Sequence, residues 1–295
     1  MGSLERRILR GDHPFAGNLG REGIFIVHTA HDSAAAWLGK RVAVEAFVSC
    51  GTCDLCRSGL RRLCANRTVP GVYNADGYAS SLAVANAASL VEIPASLPLD
   101  AALIAQTFAA ALHAVQTARV DSRGYITILG DGAIALLAAQ IAATLNPHVR
   151  LLGKHPERFT LCERLGIKHR HVAEVGKRHD QSVVIDCTGD ASEDGFAFAC
   201  SLAAPRARIV VKAPPFPPLA NTPARAPIAA AAALEAIVCG AAAGQVRDAF
   251  NFMLKHRIDA SLIISRRSAF ARAADALDAL HDRRVITCCL ELPAD

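Results

Sequence analysis

Four cysteines fall within the segment SCGTCDLCRSGLRRLCANRT, at Cys50, Cys53, Cys56 and Cys64. Their spacing, C-x2-C-x2-C-x7-C, makes loops short enough for four thiolates to converge on one ion at about 2.3 Å in a tetrahedron, and zinc suits that ligand set. With all four positions filled, no vertex remains for water or substrate. The metal is therefore expected to be structural, one zinc per chain, ordering its lobe through its own binding free energy. The other six cysteines, Cys162, Cys187, Cys200, Cys239, Cys288 and Cys289, lie in apolar segments and read as small core hydrophobes. The opening run MGSLERRILRGDHPF carries charges throughout and no apolar stretch of signal-peptide length, so the expectation is a cytoplasmic protein with thiols and metal ligands rather than disulfides.

At 295 residues and 52% hydrophobic content, the chain is long enough for two domains with sizeable cores. Its net charge of +5 is scattered, with no basic block and no interleaved aromatics, which argues against nucleic acid. The most apolar window, Ala226 to Gly244, is mostly alanine and contains Glu235, so it is expected to be a buried helix or strand rather than a membrane span.

From Gly124 to Asp186 the pattern alternates strand and helix: YITILG, then DGAIALLAAQIAATL, then VRLLG. This is a βαβ unit. Its first turn, Gly130-Asp131-Gly132-Ala133-Ile134-Ala135, is a G-x-G-x-x-A fingerprint: Gly130 permits the tight turn, Gly132 lets a pyrophosphate approach the backbone, and Ala135 allows close helix packing. The phosphates would rest on the helix N-terminus. A fold that binds NAD(H) ends its second strand with an acid for the ribose hydroxyls, but here Gly153 stands in that place, followed by Lys154, His155 and Arg158. Cations without the acid suit a 2′-phosphate, so NADP(H) is favoured over NAD(H), by roughly 1 to 3 kcal/mol for charge-assisted hydrogen bonds. SVVIDCTG and RIVVK, ending at Gly189 and Lys212, read as further buried strands. The proline-rich stretch Ala213 to Pro227 reads as a loop.

The run GKRVAVEAFVSCGTCDLCRSGLRRLC, a valine-rich strand leading into the cysteine lobe, resembles the medium-chain dehydrogenase/reductase family of zinc-containing alcohol, sorbitol and threonine dehydrogenases. The resemblance implies a Rossmann-type doubly wound parallel sheet plus a GroES-like β domain, and hydride transfer between a nicotinamide and a small alcohol or carbonyl compound. It places Thr188 and Gly189 where the sheet edge meets the cofactor, and Lys212 near the nicotinamide. The family's second, catalytic zinc takes a Cys from an early loop, the His of a GHE motif, and an acid or Cys before the nucleotide domain. Here HPFAGNLGREGIFIV puts Arg21 at the His and Glu22 at the Glu, Gln106-Thr107 stand at the later ligand, and no cysteine precedes Arg21. Arginine cannot ligate zinc in any ordinary protonation state. His113, on the next helix face, reads as a packed histidine.

The expectation is thus an incomplete GroES-like domain over residues 1–107 with its zinc lobe at 50–64, a nucleotide-binding domain over 108–244, and a return to the first domain over 245–295. The short beginning is expected to leave a sheet edge exposed unless a partner chain or local rearrangement covers it, and a homo-oligomer is expected. Without the catalytic zinc, Arg21 or Lys212 would have to stabilise a developing oxyanion, with Glu22 beside them. The competing expectation is a non-catalytic nucleotide-binding protein or scaffold that kept the fold and lost the reaction.

Overall fold

Apolar runs separated by glycine turns and alanine-rich stretches build two units in the computed structural model, which describes residues 1–189, 193–212 and 225–292. The first unit comprises Met1–Ala109 and Ala243–Asp295, the second Ala110–Ala242. In the first, α1 (Ser3–Leu9) precedes three short strands, β1 (Phe25–Ile26), β2 (Arg41–Val44) and β3 (Leu90–Glu92). They pair antiparallel in the order β1-β2-β3, with Phe25 opposite Val42 and Ala43 opposite Val91. β1 is two residues long and Ile26 is exposed. The cysteine lobe, containing α2 (Asp54–Arg57), lies between β2 and β3, followed by α3 (Leu99–Leu103) and α4 (Ala105–Ala118).

The second unit alternates strand and helix: β4 (Ile126–Leu129), α5 (Ala133–Ala143), β5 (Val149–Gly153), α6 (Phe159–Arg164), β6 (Lys168–His171), β7 (Gln181–Asp186), α7 (Glu193–Leu202), β8 (Ala203–Lys212), α8 (Arg225–Ala233) and β9 (Ile237–Ala241). Its six strands run parallel in the order β6-β5-β4-β7-β8-β9, with the reversal of order beside β4 that creates a ligand crevice at the strands' C-terminal ends. All four residues of β4 are buried, as a strand covered on both faces requires. Leu129, Leu152, Val184 and Ile209 form a core with Ala199 and Leu202 of α7. This is the doubly wound sheet expected from the sequence.

Three details differ. Arg225 to Pro227, read as part of a proline-rich loop, begin α8, where Pro227 sits in the first turn and needs no amide partner; residues 213–224 lie outside the described residues. The window Ala226–Gly244 forms both a helix and a strand, and Ile237 and Val238 are about half exposed because β9 is the outer strand of the sheet. β6, with the sequence KHRH, carries no apolar pattern and was not foreseen; a charged strand is tolerated at an edge, where it also discourages pairing with other chains.

The chain then returns to the first unit through α9 (Val246–His256), whose first N–H, that of Val246, donates to both oxygens of the Glu45 carboxylate at 3.1 Å. β10 (Ile264–Ala269), α10 (Ala273–Ala279) and β11 (Thr287–Glu291) follow. β11 is the closing strand that VITCCLEL suggested, and it pairs in parallel with β10. Cys288 also exchanges backbone hydrogen bonds with Met1. Among the described residues no helix is long and apolar enough to cross a membrane.

Leu152→Ala should lower stability by about 2–5 kcal/mol, since its side chain is fully buried in the second unit's core. Leu82→Ala, 80% exposed, should stay within about 0.5 kcal/mol. Chemical denaturation of the two variants measures the contrast.

Candidate functional site

The lobe closes on itself before any metal is considered. Val48 and Thr68 exchange two backbone hydrogen bonds of 2.9 Å at its base. Cys53 caps α2, Cys56 lies within it, and Cys64 ends the short turn Arg61–Leu63. The sulfurs are separated by 3.4 Å for Cys53 and Cys56, 3.5 Å for Cys50 and Cys64, 3.8 Å for Cys53 and Cys64, and 3.9 Å for Cys50 and Cys56. A tetrahedron with Zn–S bonds of about 2.3 Å has edges of about 3.8 Å, so the four thiols fit a zinc ion. Among the described residues this is the one group of three or more potential ligands that converges.

Arg21, Glu22, Gln106 and Thr107 come together in the first unit, but they form a network of their own. Arg21 Nε donates to Glu5 Oε1 at 3.0 Å, and Glu5, 2% exposed, also accepts from Gly2 N. Gln106 Nε2 donates to the carbonyls of Arg21 at 2.7 Å and Val44 at 2.9 Å. Glu22 accepts from the Thr107 hydroxyl at 2.6 Å and from its N–H at 3.1 Å. Gln106 Oε1 is buried with no hydrogen-bond partner among the described residues. Among the described residues, Arg21, Glu22, Gln106 and Thr107 bring together no converging set of metal ligands. Glu5 was missed in the sequence because its partner lies sixteen residues away. His113 is half-buried on α4.

The other named residues lie at the C-terminal ends of the second unit's strands. Gly130 has φ of +108°, and a Cβ there would meet the Cys187 carbonyl at 3.1 Å, so the turn after β4 needs glycine. Gly132 caps α5 and a Cβ on it would meet nothing within 4 Å, leaving backbone that a ligand can approach. Ala135 is fully buried beneath it. Thr188 donates from N and Oγ1 to Asp186 Oδ1 at 3.0 and 2.7 Å, and Gly189 turns the chain with φ of +73°. Lys212 ends β8, 9% exposed. Burial, with Asp186 next to it, pushes the Cys187 thiol up to about 12, so Cys187 is no nucleophile at neutral pH.

Gly153, Lys154, His155 and Arg158 do gather, around a residue that sequence reasoning passed over. Asp131 Oδ2 accepts from the N–H groups of Lys154 at 2.6 Å and His155 at 2.8 Å. Its Oδ1 lies 2.9 Å from His155 Nδ1 and 3.0 Å from Arg158 Nη1. Burial would raise this carboxyl, but the hydrogen bonds and charge of His155 and the Lys154 amide hold it below its ordinary value. Gly153 itself brings no acid to the end of β5, but the Asp131 carboxylate reaches that turn from the one after β4. The available signal was the acidic middle residue of G-D-G.

The alcohol dehydrogenase GroES-like domain family matches residues 4–95. An uncharacterized zinc-type alcohol dehydrogenase-like protein of Haemophilus influenzae is 29% identical over 162 residues, 52% of this chain and 47% of that protein. The chain spans about half the length of the curated relatives it matches. Among solved structures, a short chain alcohol dehydrogenase from E. coli CFT073 complexed with NADH superposes with a TM-score of 0.86 at 23% identity, over 98% of this chain and 88% of that one. A zinc-binding dehydrogenase from Sinorhizobium meliloti bound to NADP gives 0.77 at 24%, over 92% and 83%. At these identities the superpositions describe the fold.

The Glu5–Arg21 pair predicts an acid-sensitive fold. Burial opposes ionisation of Glu5, but Arg21 and the N-terminal charge lower it to about 2 from 4.5. A depressed carboxyl stabilises above its unfolded value, so about 3 kcal/mol present at neutral pH is lost as pH falls from about 4.5 to about 2. Glu45, raised by burial to about 6, has the opposite sign and costs stability as pH rises from about 4.5 to about 6. Glu5→Gln should flatten the acid limb of a pH–stability curve and lower neutral stability by about 3–5 kcal/mol, because Arg21 loses its counter-charge.

Proposed function

We propose, from the premise that the chain belongs to the medium-chain dehydrogenase/reductase family of zinc-type dehydrogenases, that it is an oxidoreductase of small carbonyl compounds or alcohols that uses a nicotinamide dinucleotide. The observation that carries this reading is the turn Gly130–Gly132: open backbone at the start of α5, at the reversal point of a parallel sheet, is where a pyrophosphate is held. Thr188 and Gly189, at the end of β7, would border the same crevice. A bound dinucleotide would supply the hydride to a carbonyl carbon, or accept it from an alcohol carbon, and the chain's own residues must steady the charge that develops on the substrate oxygen. Arg21, paired with Glu5, and Lys212, at the end of β8, are the candidate donors for that role. The four-cysteine zinc is structural, and no catalytic zinc takes part.

NADP(H) is the preferred form. Support comes from Gly153, which contributes no carboxylate, and from the exposed Lys154 beside Arg158 and His155. The margin belongs at the low end of the expected range, about 1 kcal/mol, because Asp131 already engages the Arg158 guanidinium and the His155 ring. A homo-oligomer belongs to the same reading, with the half-exposed Ile237 and Val238 of the edge strand β9 as surface for a second copy.

A second reading is favoured by one specific observation, the engagement of Arg21 by Glu5, of Glu22 by Thr107 and of the Gln106 amide N–H groups by two backbone carbonyls: a nucleotide-binding protein that performs no reaction. Turnover of a panel of aldehydes, ketones and quinones with NADPH decides between them. Oxidation with any member supports the reductase, and binding without oxidation supports the second reading.

Elemental analysis with X-ray absorption should find one zinc per chain in an all-sulfur shell; two zincs, or nitrogen in the shell, would overturn the assignment. Cys56→Ser should lose the metal while leaving NADPH affinity nearly unchanged. Fluorescence titration should show NADPH binding tighter than NADH, and equal affinities or the reverse order would refute the preference.

A further inference from the structure

We propose that Asp131 is the specificity-determining residue for the dinucleotide, an internal anion seated in the cradle that a 2′-phosphate would otherwise occupy. The inference rests on the nucleotide-binding reading above and adds to it the residue that sets how far NADP(H) is preferred.

The cradle at the end of β5 has four donors: the N–H groups of Lys154 and His155, the His155 imidazole with its proton on Nδ1, and the Arg158 guanidinium. Two backbone amides, a ring N–H and a guanidinium converging on one point are the donor set that holds an anion. The point is already occupied by the Asp131 carboxylate, which is 6% exposed. A carboxylate offers about four lone-pair sites, and these four donors fill them. Asp131 therefore has little capacity left to accept from a ribose hydroxyl, and does not replace the missing acid at position 153 in that role.

Sterics tie the two positions together. A Cβ on Gly153 would lie 2.7 Å from Asp131 Oδ2 and 2.8 Å from Asp131 Cβ, so a side chain at 153 and the Asp131 carboxylate exclude one another. Glycine at 153 is the partner of Asp131, and not simply the loss of an acid. A 2′-phosphate arriving here meets a fixed negative charge and finds Arg158 and His155 engaged, whereas a 2′-hydroxyl meets neither obstacle. Asp131 thus lowers the preference that the basic run would otherwise confer.

The test is binding, which needs no turnover. Kd values for NADPH and NADH are measured by nicotinamide fluorescence for the wild-type chain, Asp131→Asn, and Asp131→Asn combined with Arg158→Gln. Asp131→Asn keeps the shape and removes the charge; NADPH should bind about tenfold tighter, with NADH changed less than about twofold. The double variant should lose that gain, because it depends on the released guanidinium. Asp131→Ser should shift the ratio in the same direction and serves should the Asn variant fold poorly. An unchanged NADPH to NADH ratio, or weaker NADPH binding in both charge-removing variants, would overturn this inference alone and show that Asp131 only orients Arg158. Binding of neither dinucleotide by the wild-type chain would overturn the functional reading, and this inference with it.

Discussion

A parallel sheet covered on both faces has one place for polar chemistry, the rim where its strands end. β4, β5, β7 and β8 are parallel neighbours in one sheet, so the loops that follow them emerge at one rim. Gly130–Gly132, Gly153–Arg158, Asp186–Gly189 and Lys212 all stand there. The buried core constrains the rim in turn: Gly130 must be glycine because β4 and the Cys187 carbonyl come so close, and Ala135 must be small because α5 lies directly on the sheet. Site and core are consequences of the same close packing.

That dependence explains what was legible in the sequence. Buried strands appear as short runs rich in Val, Ile and Leu, and glycine turns between such runs and alanine-rich helices mark the crossovers, so β4, α5 and β5 could be placed within a residue or two, while β7 ends three residues before Gly189 and β8 starts five residues before Arg208, where its sequence is polar. The cysteine lobe was legible for a different reason, since ligand spacing survives any uncertainty about secondary structure. β6 was not legible: KHRH has no apolar alternation, and its pairing with β5 comes from its position in the sheet rather than its own composition. Asp131 was read only as the variable middle of a glycine turn. Its contacts lie 23 to 27 residues onward, and only the pairing of β4 with β5 brings them within reach.

The two units treat charge in comparable ways. In the first, Arg21 is neutralised by Glu5 and flanked by Gln106, whose amide holds two backbone carbonyls. In the second, Arg158 is paired with Asp131, which also lies within hydrogen-bond distance of the His155 ring. Burying a cation without a counter-charge would cost several kcal/mol, so at low exposure an internal acid is required wherever the sequence places a basic residue. A basic residue near a site is then evidence for a ligand only after its internal partner has been accounted for.

This condition bears differently on the two positions. Arg21 and Glu5 are tied to the terminal helix α1 and to the backbone of Gly2, so separating them means unpacking α1 from the first unit, and the pair is best regarded as part of the fold. Asp131 and its partners belong instead to two surface-facing turns whose neighbour, the Lys154 side chain, is exposed. The first arrangement joins the terminal helix to a distant loop, and the second joins the turn after β4 to the turn after β5 through a single carboxylate.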